Sequence, residues 1–276
     1  MINYNGALFQ AHDFQLPYPN RAFSYADGVM ESLRVVDGKI WFWEDHYFRL
    51  MGDMRVLRLE IPTAFTPEFL EEEILRTVEK NKCARVRMYV YRKAGGLYIP
   101  ISKEVEYIIE SEPWDTEVYK LNEHGLHIQL FQEHQKPTGL LSNLKSTNAQ
   151  VYIVAGIFAK ENNYGDVILL NEHKRMVEGV SSNLFLVQDG KVYTPALAEG
   201  PVKGVFRKNL ITVLKKNGVE VIEAELVPFE LQRADEVWLT NAVSGIKWVG
   251  QFRKKSYGRH LAEKAVGWMN EKISLI

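Results

Sequence analysis

With 276 residues, 46% of them hydrophobic and 25% charged, the chain is long enough for one or two α/β-sized domains with a substantial core. Its 34 basic and 35 acidic side chains leave a formal charge of -1, which removes the electrostatic case for nucleic acid or an anionic membrane as a partner. The lone cysteine, Cys83, excludes an internal disulfide and any multi-cysteine metal site.

The opening MINYNGALFQ has neither a basic n-region nor an apolar h-region, and no apolar run approaches the roughly 18 residues that span a bilayer. A cytoplasmic protein is expected. Asn5-Gly6 and Asp37-Gly38 are two-residue hairpin signals, because both central positions of a type I′ turn need φ > 0. Around them INY pairs with ALF, and LRVV with KIWFW. Over residues 44–59, Tyr47, Leu50, Met51, Met54 and Leu57 or Val56 recur at helical spacing. Thr66-Pro67 opens a second helix through EFLEEEILRTVEK, with proline in the first turn and acids near its start. RVRMYVYR alternates basic and apolar residues and predicts a strand with one wet face. Cys83, just before it, reads as a buried structural thiol.

Residues 112–125 (EPWDTEVYKLNEHG) lose this periodicity and carry Pro, Asp, Asn and Gly, so a linker is placed there and the chain is divided into 1–118 and 119–276. GLHIQLF is the next strand. The helix NAQVYIVAGIFAKENN follows, with Val151, Val154, Ala155 and Phe158 on one face. GDVILLN and SNLFLVQDGKVYTP supply strands, the second turning at Asp189-Gly190. The helix FRKNLITVLKKNG closes on Gly218 as its C′ glycine. VEVIEAEL, DEVWLTNA and a helix ending LAEKAVGWMNEKI complete the chain. The pattern is α/β or α+β in two units, with mixed or antiparallel sheets.

Three segments carry candidate chemistry. Lys145 lies among leucines and small polar residues in GLLSNLKSTNAQ. Lysines are ordinarily solvated, but small neighbours let another group approach, and a desolvated lysine is the neutral nucleophile that Schiff-base chemistry requires. Glu178 in VEGVSSNLFLV reads either as a turn acid capping nearby amides or as a carboxylate that keeps a ligand nitrogen protonated. Gly204 in EGPVKGVFRKNL precedes a helix whose first N–H groups would suit a phosphate.

The order of five blocks resembles a known family. YADGVMESLRVVDGKIWFWEDHYFRL is similar to the pattern Y-G-D-G-hydrophobic-F-E-x-x-R followed by an H-x-x-R-L helix. The Lys145 segment, the E-G-x-S-S-N-L-F run, the T-P…G-x-x-R turn and DEVWLTNAVSGI then follow in sequence. Together they resemble fold-type IV of the pyridoxal-phosphate (PLP) enzymes, the class IV aminotransferases, which include branched-chain and D-amino-acid aminotransferases and aminodeoxychorismate lyase. The resemblance spans nearly the whole chain. It implies an α+β, D-amino-acid-aminotransferase-like subunit of two domains with the cofactor between them, and a homodimer.

Carried over by position, the resemblance makes Lys145 the residue that forms the Schiff base with the cofactor and then moves the substrate proton. Glu178 becomes the acid facing the pyridine nitrogen, and Arg49 the phosphate-binding arginine. Backbone amides of Val205 and Phe206 after Gly204, with Asn241 and Ala242 opposite, form the phosphate cup, and Ser182 and Asn183 complete the cofactor set. Tyr25, Glu31, Tyr98 and Asn241 fall on the substrate side. No metal is implied.

Departures bear on the substrate. Phe206 stands where many relatives have threonine, which removes one phosphate hydroxyl. Ala149 stands where branched-chain members place a tyrosine near the cofactor's phenolic oxygen, which counts against that assignment. Leu97 and Ile99 replace the Arg-x-His carboxylate trap of D-amino-acid members. Of the lyase signature, Tyr98 and the run from Thr240 to Gly245 fit, whereas Leu97 replaces an arginine. The expected activity is PLP-dependent transfer of an amino group between an amino acid and a 2-oxo acid. The alternative is aminodeoxychorismate lyase, eliminating pyruvate on the same lysine. An inert relative with a degenerate site would have to lack residues that are present.

Overall fold

The computed structural model describes residues 1–78 and 83–275, and the chain in it separates into two units. One comprises Met1–Glu117 with Lys145–Asn148, the other Val118–Leu144 with Ala149–Ile276. The sequence division had assigned Lys145 to the second part. The structure gives it to the first because its main chain joins that unit's sheet: Met30 N–H donates to Lys145 O at 2.8 Å and Thr147 N–H to Gly28 O at 3.0 Å.

The first unit is built on an antiparallel sheet of six strands: β1 (Ile2–Tyr4), β2 (Ala7–Phe9), β3 (Gly28–Val36), β4 (Lys39–Ile40), β5 (Ala84–Arg92) and β6 (Val105–Pro113), in the order β2-β1-β6-β5-β3-β4. Asn5 and Gly6, and Asp37 and Gly38, take the positive φ values that their hairpins need. α1 (Arg21–Tyr25) precedes β3, and α2 (Trp43–Val56) and α3 (Pro67–Leu75) carry the helical face of the core. The expected strand KIWFW ends at Ile40, since Phe42 turns left-handed (φ 57°) and Trp43 already begins α2. Thr66 caps α3 by accepting from Phe69 N–H at 3.2 Å. That helix stops at Leu75, and the last two residues of the expected segment, Glu79 and Lys80, lie outside the described residues. Leu50, Met51 and Met54 from α2, and Leu70 and Ile74 from α3, pack with Val29, Leu33, Val86, Met88 and Val90 of the sheet. Trp41 is also buried, with the Arg34 guanidinium 4.3 Å above its ring. β6 was not anticipated. Its VEYIIESEP mixes acids with isoleucines, yet it pairs residue for residue with β5.

The second unit holds β7 (Leu126–Lys136), a 3₁₀ turn (Leu140–Asn143), α4 (Gln150–Glu161), β8 (Asp166–Asn171), β9 (Met176–Gly179), β10 (Asn183–Gln188), β11 (Lys191–Pro195), α5 (Val205–Lys216), β12 (Val221–Ala224), α6 (Glu230–Arg233), β13 (Glu236–Asn241), β14 (Gly245–Phe252), β15 (Lys255–Ser256) and α7 (His260–Ser274). The strand path β12-β11-β10-β13-β14-β7-β8-β9 mixes parallel and antiparallel neighbours and closes on itself, because β9 also pairs β10 through Glu178 and Asn183. Ile128, Leu130, Ile168, Leu184, Leu239 and Val249 belong to one core within these strands. α4 covers β7 and β8 with Ala155 and Ala159 against Phe131, Val167 and Leu169. Val154, expected on that face, is exposed, and Ala159 takes its place one turn on. Among the described residues no helix is long and apolar enough to cross a membrane.

Candidate active site

Glu31 is a carboxylate on the core side of β3, in register with Val29 and Leu33, and is only 1% exposed. A charge there requires partners, and α2 supplies them from one face. Arg49 Nε donates to Glu31 Oε1 at 2.7 Å, its Nη2 binds Oε2, and His46 Nδ1 lies 2.7 Å from Oε2. Burial opposes ionisation of Glu31, but the charges of Arg49 and His46 outweigh it and hold its pKa at about 2. Burial lowers the pKa of His46, and the Glu31 carboxylate opposes that fall. His46 Nε2, at the far side of the ring, has no hydrogen-bond partner among the described residues.

One turn further along α2, Asp53 accepts the backbone N–H of Lys145 at 3.0 Å. α2 therefore orders both Arg49 and the main chain that carries Lys145. Three of the expected site residues, Glu31, Arg49 and Lys145, are thus gathered on β3, α2 and the segment bridged to β3 through Val29 and Ser146. Glu31 was expected on the substrate side. Its two oxygens are instead committed to Arg49 and His46, which makes it the anchor of the arginine.

Tyr25 and Tyr98 meet each other edge to face at 5.7 Å. Tyr98 is 91% exposed, on a loop flanked by exposed Leu97, Ile99 and Ile101. The loop's shape comes from a residue that sequence reasoning missed. Buried Arg21 donates from Nη1 to the carbonyls of Gly95 at 3.1 Å, Gly96 at 3.4 Å and Leu97 at 2.7 Å, while its Nε pairs with Asp27 at 2.8 Å. Nothing in PNRAFSY distinguishes Arg21 from a surface arginine.

In the second unit Glu178, on β9, is 3% exposed. Four groups donate to it: Lys136 Nζ from the end of β7 and Tyr152 OH from α4 (2.8 Å) to Oε1, and Val202 N–H (3.0 Å) and Asn183 Nδ2 (3.5 Å) to Oε2. Burial first, and the Glu178 charge second, push the Tyr152 phenol far above its ordinary range, so it stays a donor. Ala149, the residue before α4, offers no phenol; the phenol three residues on, Tyr152, is turned to Glu178. Lys136 and Tyr152 were both missed, because neither EHQKPTG nor QVYIVA carries a pattern that singles them out.

The remaining expected residues line the same unit. α5 opens after Gly204 with no side-chain cap, and the first N–H groups of a helix have no carbonyl of their own helix to meet. A Cβ on Gly204 would lie 1.9 Å from Asn183 Oδ1. The Asn183 amide also donates to Val202 O at 2.9 Å, so glycine is what lets the chain pass here. Gly204→Ala is expected to cost about 1–3 kcal/mol by overpacking, seen as a lower denaturation midpoint with unchanged far-UV spectrum. Val205 and Phe206 are buried at the start of α5, the Phe206 ring edge-on to Tyr119 at 5.1 Å. Ser182 Oγ lies 3.5 Å from Asp166 Oδ2, in a turn that Asp166 also binds at Val180 N–H, 3.0 Å. Asn241 folds its own turn, its Oδ1 accepting from Val243 N–H (3.0 Å) and Ser244 N–H (2.8 Å), and its Nδ2 reaching Ser181 O at 3.3 Å. Ala242 O accepts from Tyr119 OH at 2.7 Å. Beside them the buried hydroxyl of Thr240, paired with Asn183 in the sheet, has no hydrogen-bond partner among the described residues.

One unit thus offers a lysine and an anchored arginine, the other a donor-ringed carboxylate and a glycine-opened helix start. The sequence profile of the amino-transferase class IV family matches residues 28–251, and the chain belongs to that family. It is 27% identical to a Methanocaldococcus jannaschii protein assigned as a branched-chain-amino-acid aminotransferase, over 99% of this chain and 93% of that one. It is also 27% identical to the aminodeoxychorismate lyase of Vibrio harveyi, over 89% of each. The fold is that of fold-type IV aminotransferases. A solved aminotransferase from Brucella abortus, bound to the cofactor PLP, superposes with a TM-score of 0.86 at 20% identity, over 99% of this chain and 98% of that one.

Proposed function

We propose that this enzyme is a PLP-dependent aminotransferase that moves an amino group between an amino acid and a 2-oxo acid. The observation that supports it most directly is the surroundings of Glu178. A carboxylate paired with an ammonium and ringed by hydrogen-bond donors presents acceptor oxygens, and an acceptor of that kind suits a protonated ring nitrogen. The rest of the donor set fits the same cofactor. A phosphate suits the uncapped start of α5, the partnerless Thr240 hydroxyl and the guanidinium of Arg49.

When bound, PLP supplies an aldehyde for a lysine amine and a protonated ring that withdraws electrons from the substrate Cα. Lys145 supplies that amine through Nζ and carries the proton to and from Cα. Glu178 would face the ring nitrogen and keep a proton on it. Arg49, oriented by Glu31 and His46, and the backbone amides of Val205 and Phe206 bind phosphate, with Ser182, Asn183, Asn241 and Ala242 shaping the cofactor site. Tyr25 and Tyr98 face the substrate. The reading includes a cytoplasmic homodimer, as the family resemblance implies.

The family's lyase chemistry is the second reading, favoured by the ordered Thr240–Gly245 turn and the similarity to the Vibrio enzyme. Absorbance separates the two. An amino donor alone converts bound PLP to the pyridoxamine form if the enzyme transaminates, whereas the lyase releases pyruvate from aminodeoxychorismate with no acceptor. A protein that cannot be loaded with PLP, or that is not fixed at Lys145 by borohydride, sinks both.

A further inference from the structure

The second unit contains a buried ion pair whose cation, Lys136, has no task in the reaction as outlined. Lys136 and Glu178 are 5% and 3% exposed at their side chains. Such pairs lose so much hydration that a well-packed apolar replacement is commonly as stable or more so, and stability alone is a weak reason for one. The lysine does more than neutralise. Its Nζ binds Glu178 Oε1 and also donates to Ser142 O at 3.0 Å, in the 3₁₀ turn two residues before Leu144. Asn143 in the same turn donates to Leu197 O at 2.8 Å and Pro201 O at 2.7 Å. The ammonium is therefore the link between the carboxylate and the turn that runs into Lys145.

We propose that Lys136 is a positioning residue: its ammonium sets the charge that Glu178 presents to a bound ring nitrogen and ties that carboxylate to the turn leading into Lys145. The inference rests on the function proposed above. With a cation on Oε1, the carboxylate is a weaker partner for a second cation, so the proton on the ring is held less tightly than an unpaired glutamate would hold it. Among the described residues, the groups that hydrogen-bond Glu178 are Lys136 from β7, Tyr152 from α4, Asn183 from β10 and the Val202 amide ahead of α5. Lys136 is the one cation among them. Tyr152 keeps its proton, so removing Lys136 leaves a net negative charge at the site.

The test is a pH titration of the visible band of PLP-loaded protein. Lys136→Met is expected to raise the midpoint by about one pH unit, the scale of one unit charge a few ångströms away in a protein interior. Lys136→Arg keeps the charge and is expected to stay within about 0.3 unit of wild type. In cofactor-free protein, the carboxyl carbon resonance of Glu178 is expected to move in the Met variant and to stay near its wild-type position in the Arg variant, a readout that needs no ligand. If Lys136→Met does not fold, Lys136→Gln keeps a donor without the charge and gives the same rise. A midpoint unmoved by either neutral variant, or moved equally by arginine, overturns the proposal. So does failure of both neutral variants to fold while arginine folds, since Lys136 would then serve folding alone. Wild-type protein that takes up no PLP overturns the proposed function, with the carbon resonance still deciding the role of Lys136.

Discussion

Lys145→Ala is expected to lower turnover by about 10²- to 10⁴-fold, the range lost when a positioned proton carrier is removed, and to leave the chain folded. The two parts follow from different atoms. Chemistry is assigned to Nζ, whereas the segment is held by main chain: its N–H on Asp53 Oδ2, its carbonyl on Met30 N–H, and Thr147 N–H and hydroxyl on Gly28 O. Alanine keeps all of these. Steady-state rates beside a calorimetric scan measure both, and a folded variant retaining a tenth of wild-type turnover would remove Lys145 from the chemistry.

Glu31→Gln is expected to have the largest effect on stability, because it takes from the buried Arg49 cation the strongest of its counter-charges. Breaking a buried pair in this way costs about 3–5 kcal/mol, roughly a 10 °C fall in melting temperature for a chain of this size. The pH dependence has a definite sign. The Glu31 pKa is about 2 in the folded chain against an ordinary 4.5, so its stabilisation is complete above pH 4.5 and drains away as pH falls towards 2. A shift of that size corresponds to roughly 3 kcal/mol. Urea titrations of cofactor-free protein between pH 5 and 2.5 should show wild type losing stability faster than the glutamine variant. Parallel slopes would mean that the carboxylate is not held by Arg49 and His46.

The hairpins at Asn5-Gly6, Asp37-Gly38 and Asp189-Gly190 were legible because their turns depend on adjacent residues alone. α2 was legible from periodicity, α5 from its closing glycine Gly218, and Gly204 from its place before that helix. What was not legible depends on residues far apart in sequence. Lys145 sits near the middle of the chain, yet its main chain is claimed by β3 and α2, which no local pattern reveals. Val154 faced outward because α4 turns the small residues Ala155 and Ala159 to the strands. Glu31, read as a substrate-side residue, became the anchor of Arg49 once β3 placed it on the core face. Lys136 and Tyr152 converge on Glu178 from positions 42 and 26 residues away, and neither carries a signature of its own.

The Arg21 clamp also bears on how this protein can change. It grips the carbonyls of Gly95, Gly96 and Leu97, atoms that every amino acid possesses. The loop's path is consequently indifferent to which side chains stand at 97, 98 and 99, although the two glycines are held by positive φ and a Cβ on Gly96 would strike Ile99 O. Diversity can accumulate at those three positions without the loop having to be rebuilt, so selection for a new ligand could act there while the frame stays constant.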